Sequence, residues 1–417
     1  MNQFIFDGKQ KRTFFIMMAI GVVSMIAVFF MDDELHTRFW TNFLHNSVFF
    51  TGISLLSLFT LAAFTTILSG WHTVLKRVWE AYSLFLIVGL VLMLIIAAGL
   101  WGHFHHLYHW ADAEAVANDE VLQGKSSFLN KGWYTFGTLI IVGIWIFFAL
   151  KLRKFSLAID HVDKNDYSLY NKMKYYAGVF LPIAAFSSAA MIWQWLMSID
   201  AHWFSTMYAW YGASSFFVAS VALILLTVYY LKGKGYLPHV NDEHIHGIGI
   251  MMFAFSIFWT YLWYSQYMLI WYGNMGEETT YFWERAHHYR FLFRLILVLN
   301  FVVPFFALMR NSAKRKKMTM IIVAVLLVIG HWLDFFLMIK PGALTTARHA
   351  LGHHAEEAAA QTSDFVMGFT VPCLPEIGTF IGFLGLFLFV VFRQLAKAPL
   401  EPVNDPYLDE SVHYHLY

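Results

Sequence analysis

The sequence predicts an all-α membrane protein that crosses the bilayer about ten times. Hydrophobic residues make up 59% of the 417 positions and charged residues only 13%, which is about half the charged share of a typical soluble domain. A soluble chain of this length would need more charge to cover its surface, whereas a surface that faces lipid needs none. The apolar residues also form runs of about 20, and a helix of that length crosses a hydrocarbon core about 30 Å thick.

Ten such runs follow one another along the chain. They lie at residues 13–31, 45–68, 80–101, 132–151, 177–198, 212–231, 245–270, 289–309, 317–339 and 376–395. We interpret the first as a retained helix and not as a signal peptide, because it is long for a signal sequence and no small-residue cleavage site follows it. Pro182 and Pro304 lie inside two of the runs, where membrane helices tolerate proline if neighbouring groups satisfy the freed carbonyl.

The basic residues between the runs predict the orientation. With the N-terminus inside, 20 of the 28 lysine and arginine residues fall on the inner side, six fall on the outer side and two fall within a run. Cytoplasmic loops of membrane proteins carry such an excess of positive charge. We therefore expect both termini in the cytoplasm, with residues 398–417 as an extended cytoplasmic tail.

The single cysteine, Cys373, excludes several redox groups from this chain. No Cys-x-x-Cys-His motif can attach a c-type haem covalently, and no set of four cysteines can hold an iron–sulfur cluster. We expect no metal site either: His105 and His109 have a spacing that can chelate on a helix, but we interpret them as a solvated surface cluster. Electron transfer involving this protein would therefore use cofactors of other chains.

One group of polar residues falls near the outer ends of four runs. Its members are Asp200, His202, Arg290, Arg294, His331, Asp334 and Glu376. Charge at membrane depth costs about 2.5–3.5 kcal/mol on insertion scales, so each residue needs a reason. We predict a polar pocket here for a proton path or a quinol, because burial and neighbouring arginines tune carboxylates and imidazoles for proton transfer. The structural alternative is that the two arginines pair with Asp200 or Asp334 and only hold the helices together.

A second polar group falls near the inner surface and is a candidate proton entrance. Its members are His72, Arg77, Glu80, Glu243 and His246. For the first three we favour a structural interpretation, since side chains at a helix end can snorkel to the lipid headgroups. The aromatic run at 258–264 is interpreted mainly as packing and interface belt, with a hydrophobic quinone channel as the alternative.

Several ordered blocks of the sequence resemble a known family. They are residues 198–207 (SIDAHWFSTM), 258–274, 277–279 (EET), 300–305 (NFVVPF) and 331–334 (HWLD). Together they are similar to the ActF family, the second NrfD-like (PsrC-like) membrane subunit of bacterial alternative complex III, a quinol:cytochrome c oxidoreductase. The resemblance spans nearly the whole chain. It implies a four-helix bundle at 45–198 and another at 212–339, flanked by the first and last helices.

The resemblance also implies a function and partners. The chain would support the oxidation of menaquinol or another quinol, together with proton translocation, in a bacterial inner membrane and without a redox cofactor of its own. Its partners would be an NrfD-like sister subunit, an iron–sulfur subunit, mono- and multihaem cytochrome c subunits, lipids and a terminal oxidase, with no nucleic acid. The sequence departs from the sister subunit at residues 45–47, which read HNS where the sister carries a His-Ala-Gly motif associated with its quinol site.

The sequence leaves three other functions open. An ion-coupled secondary transporter is compatible with ten helices and buried charge, although paired half-helices broken by glycine or proline are not evident. A b-type cytochrome would need histidines paired across helices, and no run holds two histidines at opposite depths. The third alternative is a purely structural subunit of the same complex.

Overall fold

Helices account for nearly all of the fold in the computed structural model, which describes residues 3–350 and 368–415. Ten helices in these ranges are long and apolar enough to cross a membrane: α1 Gly8–Met31, α2 Thr37–Thr66, α3 Thr73–Trp101, α4 Lys131–Ile159, α5 Ser168–Ile199, α6 Met207–Gly233, α7 Asp242–Gly273, α8 Arg290–Leu308, α9 Lys317–Arg348 and α10 Leu374–Leu395. Within the described ranges there is no β-strand, only an isolated bridge between Gln3 and Pro399. The predicted all-α membrane fold is confirmed.

The ten helices pack as two four-helix bundles and a flanking pair. In the first bundle each of α2, α3, α4 and α5 contacts the next and α5 returns to α2; α6, α7, α8 and α9 form the second bundle in the same way. The bundles meet where α2 contacts α6 and α9 and where α5 contacts α6. The flanking helices α1 and α10 pack on each other, and α10 also packs on α2 and α3.

Glycines bring α1 and α10 together. A Cβ atom added at Gly21 would lie 2.5 Å from the Cα of Gly382, and one added at Gly382 would lie 2.4 Å from the Cα of Gly21. Small residues of this kind let the backbones of membrane helices approach closely, so that van der Waals packing holds them together.

Several helices extend beyond their predicted ends, and the extensions of α2 and α9 each carry a buried cation. Helix α2 begins before residue 45 and α9 continues past residue 339. The predicted ends are wrong because Arg38 and Lys340 were treated as loop residues. Both are buried. Glu376 of α10 accepts from Arg38, and Thr41 of α2 accepts from Lys340.

Both chain ends lie on one side of the molecule, which we call the terminal side; the opposite side, with the long α3–α4 connection, is the loop side. Gln3 donates a hydrogen bond from Nε2 to the Ala396 carbonyl at 2.8 Å. Because the number of membrane-spanning helices is even, both termini lie on the same side.

The C-terminal segment, residues 398–415 as described, folds back on the terminal side of its own chain, so the predicted extended tail is wrong. Asp405 is buried in it and pairs with Lys76 at the start of α3. Ser411 donates from Oγ to the Trp71 carbonyl at 2.7 Å and accepts from the Val74 backbone N–H at 3.2 Å. Polar and proline-rich composition predicts an extended tail, because the partners that hold the segment back are far away in sequence.

Candidate functional site

The centre of the candidate site is a buried carboxylate without a cation. Four carboxylates are buried among the described residues, namely Glu80, Asp334, Glu376 and Asp405. All but Asp334 have a lysine or arginine nitrogen within 4 Å. Because a buried charge normally needs a counter-charge, and because ionisable residues at membrane depth are rare without a role, Asp334 is the residue from which we describe the site.

Asp334, on α9, accepts hydrogen bonds from three side chains of the two neighbouring helices. Its Oδ1 accepts from the Tyr211 hydroxyl. Its Oδ2 accepts from Ser215 Oγ at 2.9 Å and from Trp259 Nε1 at 3.0 Å. Tyr211 and Ser215 are four residues apart on α6, so they lie on one face, and Trp259 reaches in from α7. Three helices of the second bundle are therefore joined at one carboxylate.

His331, one turn before Asp334 on α9, extends this network. Its Nδ1 lies 2.8 Å from Ser215 Oγ. When Ser215 donates its single proton to an ionised Asp334, Nδ1 of His331 must carry the proton of the second bond, which leaves a lone pair on Nε2. That Nε2 atom is buried and has no hydrogen-bond partner within the described structure. Ser215 thus connects an acid and a base through one hydroxyl.

A local irregularity of α8 lies beside His331. Residues Val298–Val302 form a π-helical turn just before Pro304, where the proline lacks the N–H of a regular helix. The turn contains the buried Asn300, whose side-chain oxygen would be 2.0 Å from a Cβ added at Gly330. Neither side-chain polar atom of Asn300 has a partner among the described residues. Such π turns are frequent at functional sites.

Toward the loop side, Tyr211 borders a small internal cavity. The cavity has a volume of about 10 Å³, and Gln266, Tyr281 and Arg285 also line it. A space of this size holds about one water molecule. The Nε2 atom of Gln266 is buried without a partner in the described chain, so it offers such a water a free donor. Tyr211 therefore both donates to Asp334 and borders a space that can hold a water molecule.

Arg285 closes this cavity on the loop side. It belongs to the helix Gly276–His287, which connects α7 to α8. Its guanidinium donates to Asp200 Oδ2 at 3.0 Å and to the Leu337 carbonyl at 2.9 Å, and it lies 3.3 Å from the ring centroid of Tyr281. Burial works against the charge, but Tyr281 and Asp200 outweigh it, so the pKa of Arg285 is raised and the group is permanently cationic.

Asp200 opens onto a larger cavity of about 330 Å³ on the loop side. Its polar lining consists of His109, Asp200, His202, Glu277, Thr280, Glu284, Thr345 and Thr346. Burial raises the pKa of Glu284 above its ordinary value. A neighbouring cavity of about 230 Å³ shares His109 and Thr346 with it, so the polar space continues along this face.

The predicted outer group is only partly assembled. Asp200 and His202 line the large cavity, with His202 Nε2 only 2.5 Å from Asp119 Oδ2; this hydrogen bond lowers the pKa of Asp119. His331 and Asp334 lie deeper. They connect to the large cavity through Tyr211, Arg285 and Asp200.

The predicted pairing of Arg290 and Arg294 with Asp200 or Asp334 is wrong. Both arginines are exposed on α8, and neither forms an ion pair within the described residues. Their helix buries the opposite face, with Leu292 and Ile296 at 2% and 1% exposure. The two arginines do share one face of α8, but that face points away from Asp200 and Asp334. Arg285 is the cation that pairs with Asp200.

Glu376 belongs to a separate cluster between α2, α9 and α10, so its predicted place in the outer pocket is also wrong. Its carboxylate accepts from Arg38 at 2.7 and 2.9 Å and from Asn42 at 3.0 Å. Lys340 lies near it and donates from Nζ to Thr41 Oγ1 at 2.8 Å. Arg38 and Lys340, the buried cations in the extended parts of α2 and α9, both belong to this cluster.

The predicted inner group divides between the two bundles. In the first bundle, Arg77 contacts Glu80 at 3.3 Å and Asp160 at 2.6 Å, while Glu80 also accepts from Ser156 of α4. His72 is buried nearby and donates to the Ser69 carbonyl at 2.7 Å. The snorkelling interpretation is wrong, because all three side chains are buried in the protein. Residues 156–160, at the end of α4, supply partners for Arg77 and Glu80, and the Ser69 carbonyl is the partner of His72.

The other part of the inner group lies at the start of α7, in the second bundle. Glu243 accepts from Arg315 at 2.9 and 2.8 Å, and His246 Nδ1 lies 3.8 Å from Glu243 Oε2. Thirteen residues of helix, or about 20 Å, separate His246 from Trp259. The inner group is therefore two sites on the terminal side, and neither touches the Asp334 network.

His105 corrects the interpretation of a solvated histidine cluster. Its ring is buried, and Nε2 donates to the Ile96 carbonyl at 3.0 Å; burial lowers its pKa to about 4. Across the described ranges, no three or more His, Cys, Asp or Glu side chains lie close enough together to hold a metal ion.

Four residues of this site escape the sequence argument, namely Tyr211, Ser215, Gln266 and Arg285. A fifth, Trp259, lies in the aromatic run at 258–264, which the sequence argument interprets mainly as packing. The one available signal was spacing: Tyr211 and Ser215, and likewise Tyr281 and Arg285, stand at i, i+4 and so share a helix face. Neutral side chains at membrane depth are too common for that signal to single them out.

The arrangement can hold, accept and pass a proton between side chains. It contains a carboxyl group, a hydroxyl relay and an imidazole in hydrogen-bond contact, with a polar route toward the loop side. No protein-family model and no curated protein matches the sequence.

Proposed function

We propose that this chain is a proton-carrying membrane subunit of a bacterial quinol:cytochrome c oxidoreductase of the alternative complex III type. It supports quinol oxidation without a redox cofactor of its own, beside an NrfD-like sister subunit, an iron–sulfur subunit, c-type cytochrome subunits and a terminal oxidase. It lies in the inner membrane with both termini in the cytoplasm. The ordered sequence blocks that resemble the ActF family support the assembly, and the excess of basic residues on the terminal side supports the orientation.

The environment of Asp334 is the observation that supports a role in proton transfer. It is fully buried, has three hydrogen-bond donors and has no cation within 4 Å in the described structure. The donors stabilise a carboxylate. A protonated Asp334 can instead donate to Ser215, whose hydroxyl then turns to donate to Nδ1 of a His331 ring that carries its proton on Nε2. When the Asp334 proton moves to the Ser215 oxygen and the Ser215 proton moves to Nδ1, a carboxylate and an imidazolium result, and the imidazolium returns to neutral by losing the Nε2 proton or by passing a proton back.

A separate route leads from Asp334 to the loop side. Tyr211 connects Asp334 to the one-water cavity, and Arg285 and Asp200 connect that cavity to the larger one. On the proposed orientation the loop side is the outer side of the membrane. A proton released from Asp334 along this route would leave on the side where a quinol oxidase of this type releases its protons.

A secondary transporter remains the second candidate, favoured by the π-helical turn of α8 and the unpartnered Asn300 within it. Interrupted helices with free polar groups form substrate sites in such transporters.

The first experiment separates these functions by composition. The tagged chain is purified gently from its native membranes, and a reduced-minus-oxidised spectrum is recorded. We expect the bands of c-type haem, which this chain lacks the cysteines to bind, because cytochrome subunits accompany it. An intact, monodisperse preparation free of haem would overturn the assignment to the complex and leave the transporter.

The second experiment tests Asp334 in the purified complex, reconstituted in vesicles. The change Asp334→Asn keeps the shape of the group but removes its titratable proton and replaces one of its two acceptor oxygens by an NH2 donor. We expect proton release per electron, or turnover itself, to fall about 100-fold, the effect of losing a positioned proton carrier. The matched control is Glu120→Gln, which removes an exposed carboxylate of the α3–α4 connection on the same side but outside the cavities and should leave both rates unchanged. Equal rates in the Asp334 variant and the wild type would leave only a structural role for this residue.

A further inference from the structure

A cavity of different character lies at membrane depth where the two bundles meet. It has a volume of about 160 Å³ and is lined by residues of α2, α5, α6 and α7. Five aromatic residues and four alanines supply most of the lining. The alanines leave the space, since a larger side chain at Ala189 or Ala213 would fill it. The small side chains of the lining therefore create this cavity, which lies at the interface between the two bundles.

The cavity opens toward lipid. Trp210 and Phe258, both in its lining, are 63% and 39% exposed. Both belong to helices long and apolar enough to cross a membrane, where an exposed ring surface contacts lipid. Trp210 stands in the first turn of α6, at the loop-side end, where tryptophan rings mark the level of the lipid headgroups. Phe217, two turns deeper in the same helix, also lines the cavity.

The hydrogen bonds of the lining decide the chemistry of the occupant. Ser188 and Ser214 are the polar side chains at depth. Ser188 donates to the Ala185 carbonyl at 3.1 Å and Ser214 to the Tyr211 carbonyl at 2.8 Å. Each hydroxyl proton is thus used within its own helix, and the deep part of the cavity has no free donor for a carbonyl group. A quinone ring buried there would lose the hydrogen bonds of its oxygens, which is costly in an apolar site. A hydrocarbon chain loses nothing.

We propose that this cleft binds one acyl chain of a phospholipid from the loop-side leaflet. The chain lies along α6 with its ester region beside the Trp210 indole N–H and its methylene groups against Phe217, Phe255 and Phe258. An engineered cavity of about 150 Å³ holds one benzene molecule, so this one accommodates about six carbon atoms. The site goes beyond the proposed function.

The position of the cleft gives the lipid a structural consequence. Ser214 faces the cleft and the next residue, Ser215, donates to Asp334. A chain in the cleft therefore fills the seam directly behind the Asp334 network and keeps water from entering it through the side of the bundle. Because lipid is as apolar as the lining, binding depends on van der Waals packing in a shaped site and not on the hydrophobic effect.

The test uses the full chain in vesicles that contain a trace of phospholipid with a photoreactive diazirine in the middle of one acyl chain. After illumination, mass spectrometry locates the adducts. We expect Trp210, Phe217 and Phe258 to be labelled at least fivefold more than Val22 and Val23, which are lipid-exposed on α1. Uniform labelling of exposed residues would overturn the proposal, whatever the variants do.

Filling the cleft provides the second measurement. Ala213→Phe should reduce labelling of the cleft at least fivefold, while Ile140→Phe, which adds a ring at an exposed position of α4, should leave it unchanged. Ala189→Leu is a smaller filling change for the case that Ala213→Phe does not fold. A competition series completes the test: unlabelled phospholipid should displace the probe in proportion to its amount. If a quinone at equimolar amount displaces the probe and phospholipid does not, the acyl-chain assignment is wrong.

Discussion

Replacing Asp405 by asparagine should release the C-terminal segment from the terminal side of the protein. The carboxylate of Asp405 and the ammonium of Lys76 are each 2% exposed and form an ion pair. Oδ1 of Asp405 also accepts from the Tyr407 backbone N–H at 3.0 Å, a bond that asparagine can keep. The substitution therefore removes the charge and little else, and it leaves the Lys76 ammonium buried without its counter-charge.

Removing one partner of a buried ion pair costs about 3–5 kcal/mol, because the other charge stays buried and unpaired. The segment can avoid that cost by detaching, which exposes Lys76 to water without unfolding the bundles. Each 1.4 kcal/mol corresponds to about a tenfold change in an equilibrium, so the population of the detached state should rise by at least about 100-fold. Replacing both residues by apolar ones, Lys76→Met with Asp405→Leu, should recover much of the loss.

The pair should hold across the physiological range of pH. Burial alone would raise the pKa of Asp405, but the Lys76 charge outweighs it and holds the pKa below its ordinary value. A depressed carboxyl pKa contributes stability above the ordinary value of about 3.8, and this stability is lost only as the pH falls through the lower folded value. The Asp405→Asn effect should therefore be equally large at pH 5 and at pH 7.

Hydrogen exchange of the backbone amides at residues 398–415, measured by mass spectrometry in detergent micelles, reports the detachment directly. We expect exchange in this segment to accelerate about 100-fold in Asp405→Asn, with the amides of α6 and α9 unchanged, since local opening follows the free energy of the segment. Asp409→Asn is the matched control, because its pair with Lys164 is exposed, and it should leave exchange unaltered. If Asp405→Asn exchanges like the wild type, or if both variants accelerate alike, the buried pair does not hold the segment.

Two further predictions concern pH and helix packing. Burial lowers the pKa of His72 to about 4, so the stability from its neutral ring is present above its ordinary pKa of about 6.5 and is lost as the pH falls toward 4; going from pH 7 to pH 5 should cost about 2 kcal/mol. His72→Asn, which can still donate to the Ser69 carbonyl, should remove that part of the pH dependence of the unfolding midpoint, and an unchanged dependence would exclude His72 as its source. Gly21→Ala places a Cβ atom 2.5 Å from the Gly382 Cα, so α1 and α10 must separate, at a cost of about 1–3 kcal/mol for overpacking. Gly143→Ala on α4, whose Cβ meets no atom within 4 Å, should not lower the midpoint, and equal losses in both variants would mean that the glycine contact contributes nothing special.

The membrane fold could be predicted because few backbone structures are stable in lipid. Every backbone N–H and C=O group in hydrocarbon must be satisfied within the segment, so an apolar run of about 20 residues becomes a helix. The predicted runs fail only where they end at a charge. Arg38 and Lys340 lie inside helices, because Glu376 and Thr41 accept their hydrogen bonds. The sequence around residues 38 and 340 does not indicate these partners, which are about 300 positions away.

The candidate site could be predicted by residue type but not by contact. Asp334 and His331 at i, i+3 stood out as ionisable groups at membrane depth, and the structure joins them through Ser215. The structural alternative pairs Arg290 and Arg294 with Asp200 or Asp334, whereas Arg285 supplies the cation for Asp200. Which face of α8 turns inward depends on packing against α9, and hydrophobicity on nearly all sides of a membrane helix hides that choice. Arg285 was read as part of a surface loop, although it shares a face with the buried Tyr281.

The buried ionisable residues fall into two kinds, and the distinction bears on what each does. Those with a counter-charge hold elements together: Arg38 with Glu376 joins α2 to α10, and Lys76 with Asp405 holds the C-terminal segment. Asp334 and Lys340 are different. Both are fully buried on α9, six residues or about 9 Å of helix apart, and neither has an opposite charge within 4 Å among the described residues. A paired charge loses the attraction of its partner when it is neutralised, whereas an unpaired one is relieved of its burial cost when it is neutralised, by gaining a proton in the case of Asp334 and by losing one in the case of Lys340. The groups without partners are thus the ones able to change protonation at little cost, and they lie on the helix that contacts α6, α8 and, across the seam, α2.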